Sequence, residues 1–371
     1  MVRSIIEIAE FRRDTSFYGT IDLLLTIKSF NLQAIRKRYI ASLSNLSGRT
    51  GSVERREVSL GGMVRIRIDR GKLTVEEKLC TLKEPRGIDL KHGQLAISSE
   101  NKVYLIGDTE VQSIENDWFS YIHTVKYHAG NPNKLLVSSS GFDAIFEYDL
   151  LDKSPCFEWF AWEHGFNKGV DPELGEELYL TRKAAEAIQY RESGLNHLFI
   201  QDPLKDVLPT AKRAAFINSV DYDVRNQDSI IATFFHLGAA NRIEIPTGKP
   251  TPIIEDLQKP HGACNYKDGY MVTSTGAGSV VLSDAASEVE YSLRGLPCKP
   301  DELNDREWVQ NAITFGNIIL AIDSNRTAFV IFDIEKRIYD IVPYNTEWAV
   351  QDAVVGSVSA NQIEGLKEIS E

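Results

Sequence analysis

Six short segments of this 371-residue chain share one pattern, a polar residue, then a small one, then an apolar one, and their spacing restricts the fold more than any other feature. They are Arg86-Gly87-Ile88, His123-Thr124-Val125, Asn218-Ser219-Val220, His261-Gly262-Ala263, Asn311-Ala312-Ile313 and Asp352-Ala353-Val354. Successive polar members lie 37, 95, 43, 50 and 41 residues apart, and all but the second interval match one four-stranded blade of a β-propeller. Each of the first five triplets is followed by a turn and a β-branched run ending in small polar residues (LAISS, KLLVSSS, SIIATFFH, GYMVTST, NIILAIDS). A third run comes next each time (KVYLIG, AIFEYDL, NRIEIP, SVVLS, AFVIFDI), which reads as a meander of strands.

The sixth triplet stands too near the C-terminus to own a whole blade, while the N-terminal runs GTIDLLLTIK, KRYIASL, MVRIRID and LTVEEKLC have no triplet. Joining the two ends closes the ring and leaves no large open edge. The expected fold is therefore all-β: a six-bladed β-propeller, residues 1–371 forming a single domain, with a mixed N-/C-terminal closing blade. The 95-residue interval marks an insertion. The blade opened by His123 should end around residues 157–162, so residues 165–215 are extra, and PELGEELYLTRKAAEAIQYRE after Asp171-Pro172 has the composition of a helical cap. Chain direction places that cap over the rim that carries the polar residues.

Innermost strands line a propeller's axis, so Arg86, His123, Asn218, His261, Asn311 and Asp352 are expected to converge at the channel mouth. Asn, Asp and His side chains there suit a divalent metal ion, with oxygen donors favouring Ca and imidazoles favouring Zn, Fe or Mn. His123, Asn218, His261, Asn311 and Asp352 are the candidate ligands. Arg86 stays protonated, so its expected role is catalytic, binding an anionic group or stabilising an oxyanion. Asp323 and His236 end second strands at the same rim and are candidate general bases. Trp118, Trp308 and Trp348 shortly precede ring positions and His164 stands at the entry to the insertion, which makes all four candidates for the substrate pocket. The alternative is a ring that only holds water.

With 41 Lys and Arg against 53 Asp and Glu, the net charge of -12 argues against nucleic acid and anionic membrane surfaces as partners, and points to a small-molecule substrate. No apolar run approaches the roughly 20 residues of a spanning helix. The four cysteines form no CxxC pair, and the N-terminus MVRSIIEIAEFRRD lacks the features of a secretory signal, so a cytoplasmic protein is expected. Oligomeric state leaves no trace in the sequence.

Gln310-Asn311-Ala312-Ile313, followed by the strand Asn317 to Ser324 ending in Asp323-Ser324, resembles the SMP-30/gluconolactonase/luciferin-regenerating superfamily. Lys259-Pro260-His261-Gly262 is similar to a variant found in paraoxonase-like propellers. The resemblance implies a six-bladed propeller with a divalent cation on its axis and lactone or ester hydrolysis. It also implies that Asn311 is a metal ligand and that Asp323 matches the Asp-Ser strand end. Family members present a metal-binding Glu in Glu-Gly-Pro, where this chain has Glu84-Pro85-Arg86-Gly87. Residues 217–236 bear a thinner similarity to arylsulfotransferase-like propellers. Two functions follow as expectations: a metal-dependent, lactonase-like enzyme acting on a small anionic molecule, or a non-catalytic binding propeller.

Overall fold

The computed structural model describes residues 2–54 and 57–371; Met1, Arg55 and Arg56 lie outside the described residues. Among the described residues, six four-stranded antiparallel meanders surround one axis. Blade 1 begins with the strand Ile88–Lys91, blade 2 with Ile122–Tyr127, blade 3 with Ile217–Tyr222, blade 4 with Pro260–Tyr266 and blade 5 with Val309–Phe315. Blade 6 is mixed: the C-terminal strand Val350–Val355 is innermost, and Thr20–Ile27, Leu60–Asp69 and Lys72–Lys83 complete it. Each innermost strand packs against the next around the full circle. The fold is thus the expected β-propeller with its mixed closing blade.

Apolar residues alternate along the inner and middle strands, and the core lies as wedges between neighbouring sheets. One wedge joins Leu25, Ile66 and Val350 of blade 6 to Leu320, Phe329 and Ile331 of blade 5. Outer edges are covered locally. Ser4–Glu7 adds a parallel fifth strand to blade 4, and Arg12–Arg13 does the same for blade 5. The helix Ala360–Glu368, with a Ser359 capping box, seals the wedge between blades 6 and 1 through Leu366.

Two connections depart from the sequence reading. KRYIASL is not a strand: it belongs to the helix α1, Leu32–Ser42, whose first turn is capped by Asn31 Oδ1 accepting from Ala34 N at 3.0 Å. The spacing of Leu32, Ile35, Tyr39 and Ser42 follows the helical period and turns that face inward. The insertion at 165–215 is less helical than expected. Glu177–Thr181 is the central strand of a small sheet with Lys168–Val170 and His197–Phe199, because Leu178 and Leu180 alternate inward. The insertion's one α-helix is Ala184–Glu192, and Thr210–Lys212 adds a single 3-10 turn.

Buried Asp143 fixes the exit of this insertion. Its carboxylate accepts from Trp162 Nε1, Ala214 N, Ala215 N and Ile217 N at 3.0–3.3 Å, tying blade 2 to the start of blade 3. Asp143→Ala leaves three buried amides unanswered, and we expect a loss of about 3 kcal/mol in urea unfolding; a loss below about 0.5 kcal/mol would show that the exit is held by packing alone.

Candidate functional site

The inner strands carry a repeated irregularity. In blades 2, 3, 5 and 6 the pairing skips one residue between Ile122 and Thr124, Ile217 and Ser219, Val309 and Asn311, and Val350 and Asp352. Blade 4 shifts register just after His261. Such a bulge re-aims one side chain at the rim of a sheet. Two residues before Arg86, His123, Asn218 and His261 the backbone is left-handed, at Glu84, Tyr121, Phe216 and Lys259, with φ between 43° and 58°. The structural repeat is therefore real, and it corrects the alignment of the last two triplets. The residues equivalent to His123 and Asn218 are Gln310 and Gln351, so Asn311 and Asp352 stand one step deeper.

That step divides the predicted ring into two levels. Arg86, His123, His261, Gln310 and Gln351 line a cavity of about 140 Å³ at the mouth. Below it, small residues let the strands close in: a Cβ on Gly262 would stand 1.8 Å from Asn311 Oδ1, and one on Gly87 would press on the backbone of Val125. Asn311 Nδ2 donates to Asp352 Oδ1 at 2.7 Å, and that oxygen also accepts from Ala353 N. Asn218 is buried among Thr233 and Thr124, which bond its side chain and its carbonyl. The six residues do not form one coordination sphere.

At the upper level, Arg86 Nη1 donates to His123 Nε2 at 3.2 Å and Nη2 bridges to Glu84 at 2.8 Å. Tyr121 lies between the guanidinium groups of Arg86 and Arg213, 5.4 and 4.5 Å from its ring centre. His261 Nδ1 donates to Lys259 O at 3.2 Å and stands 2.9 Å from Thr275 Oγ1, which fixes the tautomer with the lone pair on Nε2. His123 and His261 are 5.6 Å apart, with Phe216 and Phe235 against them and Trp308 beyond. Burial depresses His123 well below the usual range, and Arg86, Lys28 and Arg213 add to it. Burial likewise lowers His261 to about 3, with help from Lys28 and Arg86. Both imidazoles are neutral because they are buried, and the neighbouring cations reinforce it.

The roof comes from a place the sequence reading did not assign. Ile35, Arg38, Tyr39 and Ser42 of α1 cover the mouth, and the 165–215 insertion contributes only Thr210 and Arg213. Ala211 N donates to Ser52 O at 3.1 Å where the two covers meet. Several candidates stand elsewhere. Asp323 is buried against Arg326 at 2.7 Å and accepts from the amides of Asn325 and Arg326, so it closes a turn. His236 donates to Thr210 O at 3.0 Å and is lowered to about 3, first by burial. His164 stacks on Trp159, Trp118 packs on Phe142 and Phe160, and Trp348 belongs to a core wedge. Of the four candidates for the substrate pocket, Trp308 alone lines the mouth.

The lower level holds a second charge group. Asp89, Lys126, Asp221 and Cys264 lie on inner strands, three residues past Arg86, His123, Asn218 and His261 respectively. Burial opposes the charge on Lys126, but Asp89, Asp352 and Asp221 outweigh it and raise its pKa. Asp221 is pushed up to about 6 by burial against the pull of Lys126 and Lys91.

These donors do not suit the divalent ion that the resemblance implies. The His123 lone pair already accepts from Arg86, the mouth is ringed by cations, and the deeper carboxylates surround an ammonium. Among the described residues no three His, Cys, Asp or Glu side chains come together to hold a metal.

No protein-family model matches the chain, and no curated protein matches its sequence. Its likeness to solved structures is one of fold. A chain from a crystal structure of a nidogen/laminin complex superposes with a TM-score of 0.53 at 8% identity, covering 91% of this chain and 98% of that one. Streptogramin B lyase gives 0.44 at 10% identity over 73% and 93% of the two chains.

Acid should unfold the protein early. Unfolded histidines titrate near 6.5 while His123, His236 and His261 stay neutral in the fold, so the unfolded chain binds more protons and stability falls as pH drops through 6.5. Urea unfolding at pH 7.5 and 5 should show a loss of about 1 kcal/mol or more per pH unit, smaller in His261→Gln; a flat profile would mean that the imidazoles take up protons in the fold as readily as in the unfolded chain.

Proposed function

We propose that the mouth of this propeller binds a small organic anion. One observation carries the reading: the described residues lining the cavity include Lys28, Arg38, Arg86 and Arg213, the neutral His123 and His261, four aromatic rings and no carboxylate. Partly roofed by α1, such a set stabilises negative charge better than surface cations do. The volume has room for about ten water-sized groups, which is the scale of a metabolite. Four free thiols, two of them exposed, fit a reducing compartment, so we place the protein in the cytoplasm.

A catalytic reading rests on His261. Its Nε2 lone pair is set by the Lys259 carbonyl, and it shares the cavity with Arg86. In lactone or ester hydrolysis without a metal, His261 Nε2 would take a proton from water as the hydroxide adds to the carbonyl carbon, a step that requires the bound anion to raise this imidazole from about 3. Arg86 would stand beside the oxyanion, and the departing alkoxide would recover the proton as the C–O bond breaks. The product carboxylate matches the cationic lining.

Calorimetry with a panel of small carboxylates and phosphates tests binding. Arg86→Gln should weaken the best anion by about tenfold or more, and binding should fall with added salt. Metal analysis of the purified protein should show no stoichiometric divalent ion. Saturable binding of a cation with indifference to every anion would overturn the proposal. For catalysis, a lactone panel should show turnover that His261→Gln removes while the product still binds; turnover unchanged in that variant would leave a binding protein.

A further inference from the structure

The mouth has a second compartment. A side lobe of about 80 Å³ adjoins the cationic cavity and shares Ile35, Tyr39 and Trp308 with it. The rings of Tyr39 and Trp308 meet edge to face at 4.7 Å and form the partition. Beyond them the lobe is walled by Leu32 from α1 and by Ala349 and Val350 at the start of the closing strand. Several polar groups there are already engaged. Arg36 Nη2 donates to the carbonyls of Ser324 and Asn325 at 2.6 and 3.0 Å, and Gln310 Oε1 accepts from Trp308 Nε1 at 2.7 Å. Lys28, Gln310 and Gln351 stand on the side shared with the cationic cavity, and the wall beyond them is mainly apolar.

We infer that the ligand is bipartite: an anionic head held by Arg86 and Arg213, joined to a flat apolar group, of the size of a phenyl ring, lodged between Trp308 and Leu32. The inference rests on the anion-binding reading and names the class of anion. The side lobe, about 80 Å³ and continuous with the larger cavity, is on the scale of one planar ring. Aromatic walls favour a flat partner, since edge-to-face and offset contacts add to simple burial. Phosphate and carboxylate heads both fit the cationic lobe, and the test separates them.

Binding of phenyl phosphate, inorganic phosphate, phenylacetate and acetate should be measured by calorimetry on the full chain, with tryptophan fluorescence as a second readout. Each phenyl compound should bind about tenfold or more tightly than its parent anion. The stronger phenyl member identifies the head. Leu32→Trp, which fills the lobe, should abolish that advantage and leave the parent anion's affinity unchanged, whereas Arg86→Gln should weaken all four. Ala349→Val serves as a milder filling variant should Leu32→Trp fold poorly, its fold checked by its thermal midpoint. Equal affinity for phenyl and parent anions in the wild-type protein overturns the bipartite ligand and leaves the anion-binding reading standing. Failure of all four to bind overturns both.

Discussion

The hydrogen-bonded union of the chain's two ends supports everything at the axis. Val350–Val355 pairs antiparallel with Thr20–Ile27, and only that ladder converts a row of meanders into a ring. The union also positions side chains directly. Thr26 Oγ1 stands 3.1 Å from Asp352 N and donates to the carbonyl of Arg86, so one hydroxyl of the N-terminal strand joins the C-terminal strand to blade 1. The bulge at Gln351 lies within the same ladder. Closure, the narrow axis and the lining of the mouth are thus one event in folding, and contacts between residues more than 300 apart must form before any site exists.

Charge along the axis is layered. The mouth gathers cations and neutral imidazoles, and the level beneath gathers carboxylates around Lys126. Each layer sets its own protonation states. Neutral histidines add no further positive charge to the mouth, and the buried ammonium offsets the desolvation of Asp221 and Asp352. A metal ion would serve the lower level in the same way as Lys126 does, but the ammonium is covalently tethered and cannot be lost to a chelator. Glu84 is likewise committed, because its carboxylate pairs with Arg86.

The architecture was legible because β-branched strands, turns and blade-length spacing all repeat. The register of the site was legible in only part of the ring. In Val309-Gln310-Asn311-Ala312 and Val350-Gln351-Asp352-Ala353 two polar residues adjoin, and a polar-small-apolar pattern accepts either; backbone pairing alone decides that the glutamines reach the mouth. The matching Val-Gln pairs were the available signal. Asp323 looked like a strand-end base because nothing in the strand reveals that Arg326 turns back onto it. Helix α1 was hidden by Tyr39-Ile40, which reads as a strand pair, although Asn31 and the spacing of Leu32, Ile35 and Tyr39 mark a helix. Lys126 carried no motif at all: its meaning comes from three carboxylates on blades 1, 3 and 6.

Net charge and local charge act in opposite directions here, and that opposition sets what can enter. The whole chain carries -12, yet the described lining of its mouth holds four cations and no carboxylate. A large polyanion meets the acidic exterior before it reaches the mouth, and α1 with the Ser52–Ala211 contact denies it the space. A small anion is repelled weakly at a distance comparable to the roughly 8 Å Debye length and then enters a low-dielectric pocket where each cation counts for more. Selection by size follows from charge layering together with the roof, and neither would give it alone. Without the roof the lining would be an open basic patch, and without the acidic exterior that patch would attract any polyanion.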